Sequence, residues 1–234
     1  MDYIFNGFIS AIHIILSFDS EFIEIVLRSV SVSLTATAIA SVAAVPFFMF
    51  LGLRRFWGEG IVSRLLNTFM SIPTVVVGLV VMLLLARRGP FGHLDILYSI
   101  KAMVIAQTIL VYPLVAAMTY ELAKQSGRTI VSLAHTLGAG PLQTTALVIA
   151  ELKNVLLIYM ISAFSRAISE VGAVMMVGGN IKGQTNVMTT TISRYNAMGE
   201  YEMAMALGVI LLLTSCVINW IAYSFREKSV KRGD

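Results

Sequence analysis

The chain has 234 residues, of which 57% are hydrophobic and only 13% charged. Soluble domains average about 25% charged residues, so this composition, with its mean hydropathy of +0.83, reads as an integral membrane protein. The apolar runs are long and continuous, which excludes a β-barrel of short alternating strands, and the net charge of +4 sits at the ends of those runs rather than in a nucleic-acid-binding patch. The expected fold is therefore all-α and polytopic, with about five transmembrane helices after an amino-terminal amphipathic helix.

Residues 1–18 place Ile4, Phe5, Phe8, Ile9, Ile12, Ile15 and Leu16 against a polar stripe of Asn6, Ser10, His13 and Ser17 at helical spacing. Their charge-free run of about 16 residues falls short of the roughly 20 that cross a bilayer, so the segment reads as an interfacial helix over 1–21. A short additional span is the alternative. A basic start and a small-residue cleavage site, the marks of a signal peptide, are missing.

The first span is expected over 24–53, with small residues Ser29, Ser33, Thr37, Ala40 and Ala44 along one face and Pro46 predicting a kink. Arg54, Arg55 and Arg64 then flank a short loop containing Trp57, as suits a cytoplasmic interface. The second span, 64–86, contains Pro73 and Gly78, and breaks of this kind face protein or a cavity rather than lipid. Packing adjustment and pathway lining both account for Pro73. A loop over 87–99 leads to a third span over 100–120, with Pro113 inside it.

Residues 121–152 form a central loop. Within it, Ser132-Leu133-Ala134-His135-Thr136-Leu137-Gly138-Ala139-Gly140-Pro141 is too polar and too rich in Gly and Pro to be a span. Gly138 permits a tight turn, and Pro141 suits the first turn of a helix. The expectation is helix, sharp turn, helix on one side of the membrane, shaped to touch a partner.

A fourth span is expected over 153–176. It carries Arg166 and Glu170, the charged residues placed well inside a span, four apart and so on one helix face. Central charges cost about 2.5–3.5 kcal/mol on insertion scales, so neither should face lipid. A self-compensating packing pair and a pathway or gate are both open readings; a proton relay lacks a second acid or His in another span. The turn-rich stretch Gly178 to Asn186 and Thr189, Thr190 and Thr191 follow, then a fifth span over 203–225 and a basic tail over 227–234. Residues 22–226 thus make one transmembrane domain. With the amino end outside, ten Lys and Arg fall on the cytoplasmic side and six outside, giving a cytoplasmic carboxyl end and a cytoplasmic 121–152 loop.

His13, His93 and His135 fall at ends or in loops, so no metal site is expected. Neither a nucleophile–base pair nor a P-loop is present, which makes a membrane enzyme the weakest class and puts any ATP-driven motor on another chain.

The 132–151 stretch resembles the cytoplasmic loop of bacterial ABC importer permeases: Glu-Ala-Ala, three residues, Gly, nine residues, Ile, one residue, Leu-Pro. Ala134 and Gly138 match; Ser132, Leu133, Val148, Ala150 and Glu151 depart from it. Arg166-Ala-Ile-Ser-Glu170-Val-Gly172-Ala, then Gly179-Asn180-Ile-Lys-Gly183-Gln-Thr185, resembles the oxyanion branch of these permeases, as does Pro73-Thr-Val-Val-Val-Gly78. The wording from Ile168 to Asn180, with Val187-Met188-Thr189-Thr190, looks most like tungstate-type permeases, with molybdate and sulfate permeases as near relatives.

The resemblance implies a type I ABC importer permease. It implies a homodimeric pore in the cytoplasmic membrane of a bacterium or archaeon, two cytoplasmic ATPase subunits that hold ATP and Mg, and an external solute-binding protein. This chain would bind no cofactor itself. The 132–141 stretch would be the coupling helix. On physical grounds a pore for a dianion should carry few fixed cations, so Thr189, Thr190, Thr191, Asn180 and the glycines beside them are expected to shape the outer mouth. Molybdate, sulfate or phosphate import is the alternative cargo; a secondary transporter or channel working without ATP is the alternative class.

Overall fold

A computed structural model describes residues 9, 20–136 and 138–230. The amphipathic segment read over 1–18 lies outside the described residues apart from Ile9, as do Leu137 and residues 231–234. The described chain is helical: α1 (Ser20–Leu53), α2 (Glu59–Met70), α3 (Thr74–Leu85), α4 (Ile100–Leu122), α5 (Arg128–Thr136), α6 (Pro141–Glu151), α7 (Lys153–Ile168), α8 (Gly172–Gly178), α9 (Met188–Met198) and α10 (Tyr201–Val230). Among the described residues, three helices are long and apolar enough to cross a membrane, or up to five if each of two bent pairs, α2 with α3 and α6 with α7, counts as one span.

The described part of the first helix runs from Ser20 to Leu53. Its small face turns inward: Ser29, Ser33, Ala36, Thr37, Ala40 and Ala44 are buried. Leu27, Leu34, Ile39, Val42 and Phe47 are exposed on the other side. This inverts the soluble pattern, because lipid solvates large aliphatics while backbones approach through small residues. Pro46 and Pro113 lie inside helices that continue on both sides of them.

Two segments differ from their sequence reading. The 121–152 stretch is mostly helix: α4 passes through a π-helical turn, Ala123–Gly127, directly into α5, and among the described residues the non-helical backbone lies at 138–140 and at Leu152. The fourth span is not one helix over 153–176. It ends at Ile168, and α8 restarts at Gly172. Ala173 N–H donates to Glu170 Oε1 at 3.2 Å, so the Glu170 carboxylate occupies a donor at the start of α8, a local alternative to helix continuation that hydropathy does not record.

The contacts divide the chain into two compact units, Met1–Ala36 with Pro73–Gln107 and Ser165–Ile218, and Thr37–Ile72 with Thr108–Phe164 and Asn219–Asp234. In the first unit α3 lies against α8. A Cβ on Gly78 would stand 2.6 Å from Ala173 Cα, and one on Gly172 would stand 2.7 Å from Val75 Cγ2. Bare glycine surfaces let these backbones touch. In the second unit α1 closes on α4 in the same way, where a Cβ on Gly52 would meet Ala123 Cβ at 2.7 Å.

Candidate functional site

The turn between α5 and α6 is built by its own sequence. Gly138 has φ +75°, and Ala139 N–H donates to Ala134 O at 3.1 Å, the six-to-one bond that closes a helix on a left-handed residue. Gly140 then opens α6: its N–H donates to Gln143 Oε1 at 2.9 Å, its carbonyl accepts Thr144 N–H at 2.9 Å, and Pro141 takes the first helical position, where no N–H is needed. Ser132 and Thr136 hydroxyls donate to the carbonyls of Thr129 and Leu133, each at 2.7 Å. Ala134 is buried beneath the turn, whereas Ser132, Leu133, Thr136, Gly138 and Pro141 are exposed and Ala139 and Gly140 are half-buried. His135 lies in the last turn of α5. Leu133 and Leu142 present apolar side chains to the outside on either side of the turn. Leu142 escaped sequence reading because the apolar pattern of α6 assigns it no special face.

The second set of residues lies in the first unit, around the starts of α3 and α8. Pro73 precedes α3, and its carbonyl accepts Val76 N–H at 3.0 Å and Val77 N–H at 3.3 Å. Glu170 is buried in the break before α8, and Arg166 Nη1 reaches its Oε2 at 3.7 Å from the last turn of α7. The two are unequal partners: the Arg166 side chain is 57% exposed and that of Glu170 is 6% exposed. They pair across a helix end, not along one continuous face.

Glu170 also ties this break to α9, since its carbonyl accepts the Thr189 hydroxyl at 2.8 Å. Thr190 is fully buried; its hydroxyl lies 3.2 Å from Val187 O and accepts Val187 N–H at 3.1 Å, while its carbonyl accepts Asn180 Nδ2 at 3.0 Å. Asn180 itself is left-handed, with φ +48°, and its Oδ1 has no hydrogen-bond partner among the described residues. The structure therefore ties Glu170 to Thr189 and Asn180 to Thr190 by separate hydrogen bonds at consecutive residues of α9, and Pro73 lies one residue before α3, which packs on α8.

Further residues of this region carry no sequence signal of their role. Arg28 donates to Asn186 O at 3.0 Å and to Gly183 O at 3.1 Å, and it also bonds Asn186 Oδ1; Met188 N–H donates to Ser29 Oγ at 2.8 Å. These links fasten the 183–188 turn to α1 over more than 150 residues of sequence. Lys182 pairs with Glu21 at 2.9 Å, and that carboxylate raises the pKa of the Lys182 ammonium. Gln107, buried in α4, donates from Nε2 to Ala167 O at 3.0 Å, and its Oε1 has no partner among the described residues.

A helical membrane chain with a capped, exposed turn and broken, glycine-packed helices matches a known family over residues 37–231, that of the binding-protein-dependent transport system inner membrane component. The chain belongs to this family. It is a multi-pass inner-membrane subunit with the type I ABC permease fold and is not an enzyme; ATP hydrolysis in such importers belongs to separate subunits, and a binding protein works with the permease. The tungstate uptake system permease protein TupB of Peptoclostridium acidaminophilum is 50% identical over 228 residues, covering 97% of this chain and 100% of that protein. A probable anion ABC transporter permease of Haloferax volcanii is 33% identical, covering 90% of this chain and 93% of its own. The TupB of Campylobacter jejuni is 32% identical, covering 97% and 95%.

Proposed function

We propose that this chain is the pore subunit of an ATP-driven importer of tungstate. The observation that carries the cargo is the 50% identity to a tungstate uptake permease over that protein's whole length. In this reading two copies form the pore, with the amino end outside and the carboxyl end in the cytoplasm. A solute-binding protein delivers the dianion to the outer mouth. ATP and Mg act on the partner ATPases, and this chain binds neither.

The turn from Ser132 to Pro141 is the contact with the ATPase. Its support is the exposed pair Leu133 and Leu142 on a turn braced by the Gly138 and Gly140 caps. Closure of the ATPases moves this turn and opens the pore outward. Pro73, Arg166, Glu170, Asn180, Thr189 and Thr190 are assigned to the pathway or gate, because a helix break held by separate hydrogen bonds is an element that can switch between two arrangements. Selectivity resides chiefly in the binding protein, since a pore that held a dianion tightly would stall its release.

The test is elemental uptake. A strain lacking this gene is supplied with tungstate and molybdate at low, equal concentrations, and both metals are counted in the cells. Loss of tungsten alone is expected. Loss of both metals would replace the tungstate reading with a broader oxyanion importer, and loss of neither would overturn it.

A further inference from the structure

Arg128 opens α5, the helix that leads to the turn, and its side chain points back along the chain. Nε donates to Gly52 O at 3.1 Å, Nη2 donates to Arg54 O at 3.0 Å, and Nη2 pairs with Glu59 Oε1 at 2.9 Å. Gly52 lies in the last turn of α1, Arg54 is the first residue beyond it, and Glu59 is the first residue of α2. One planar fork therefore holds a carbonyl of the last turn of one helix, a carbonyl just past its end and the first carboxylate of the next. A cation suits that place twice, satisfying carbonyls left over at a helix end and opposing the negative end of the helix dipole.

The same Glu59 carboxylate accepts Phe56 N–H at 3.1 Å and so closes the intervening elbow. Both side chains are largely shielded, 21% exposed for Arg128 and 22% for Glu59. Side chains pack closely on the bare Gly127 beside them: a Cβ there would come within 2.6 Å of Leu53 Cδ2. Immediately before Arg128 lies the π-helical turn Ala123–Gly127, a looser hydrogen-bonding pattern about which α5 could tilt.

We propose that Arg128 is the positioning residue that transmits movement of the α5–α6 turn to the α1–α2 elbow. The inference rests on the reading of that turn as the ATPase contact. Three directed, charge-assisted contacts from a rigid guanidinium resist rotation as well as separation, whereas apolar packing alone would slide. With Arg128 in place, displacement of the turn drags the end of α1 and the start of α2. Without it, displacement is absorbed at the π turn.

The experiment uses the permease with its ATPase subunits and binding protein, reconstituted in vesicles, and reads tungstate transport and ATP hydrolysis in the same sample. For Arg128→Gln, co-purification with the ATPase is retained, hydrolysis stays within about twofold, and transport per ATP falls at least about tenfold. Arg128→Lys gives an intermediate ratio, because one ammonium cannot span the three acceptors. Glu59→Gln has a smaller effect, since the two carbonyl contacts survive.

Proportional loss of transport and hydrolysis, or an unchanged ratio in any Arg128 variant that assembles, would overturn the proposal. So would failure of both Arg128 variants to assemble, which would make the residue a folding element only. The reading of the turn fails separately: Leu133→Asp with Leu142→Asp, two exposed positions of the turn, would then leave co-purification with the ATPase unchanged.

Discussion

Among the described residues nothing lies within 4 Å of the place a Cβ on Gly138 would occupy, yet its φ is +75°. Space is free and conformation is not, so the cost of substitution here lies in the backbone. A left-handed conformation costs an ordinary L-residue about 1–2 kcal/mol and a β-branched one more, while Asn tolerates it. Gly138→Asn should therefore keep the turn and retain tungsten uptake within about twofold, while Gly138→Val should reduce it at least about tenfold with the protein still in the membrane. Cellular tungsten and an immunoblot of the membrane fraction decide the matter. Equal loss in both variants would mean that a partner needs close approach to the bare backbone, not merely the turn. The turn was legible in the sequence because its punctuation is local: Gly138, Gly140 and Pro141 each act within a few residues. Arg128 was not, because its acceptors are two main-chain carbonyls and a carboxylate about 70 residues away, and carbonyls carry no residue code.

Helices in this chain are defined as much by what they lack as by what they present. Where α3 meets α8, Gly78 faces the Ala173 backbone at 2.6 Å from an added Cβ. Gly60, inside α2, has nothing within 4 Å. The pair separates packing from propensity. Gly78→Ala should behave as overpacking, which costs about 1–3 kcal/mol, and should lower the melting temperature of the purified protein in detergent. Gly60→Ala should be neutral or slightly stabilising, because Ala favours a helix over Gly by about 0.8–1.0 kcal/mol. A Gly78→Ala variant that melts with the parent would show that α3 and α8 separate freely. At this scale the small-residue face of α1 and the break at Pro73 were readable from spacing and proline chemistry. The break at 169–171 was hidden because the apolar run continues beyond it, and only the Glu170 carboxylate bonded to Ala173 N–H explains the stop.

For the molecule as a whole, sidedness determines whether the proposed coupling turn can work. The acidic and basic residues favour an external amino end by ten Lys and Arg against six, and the 132–141 turn then faces the ATPases. The opposite topology would leave that turn with no motor to meet. Cys216 is the chain's one cysteine, which makes labelling unambiguous once it is replaced. In a Cys216→Ser background, Ser132→Cys and Gln184→Cys place thiols at exposed positions in the coupling turn and in the turn before α9. A membrane-impermeant maleimide added to intact cells should label Cys at 184 and should reach Cys at 132 only after the membrane is opened. The opposite pattern would invert the topology and remove the turn from any ATPase, and with it the basis for Arg128 as a transmitter. The expected pattern would place the turn and the Arg128 clamp on the motor's side, and the Arg28-anchored 183–188 turn on the side from which an oxyanion arrives.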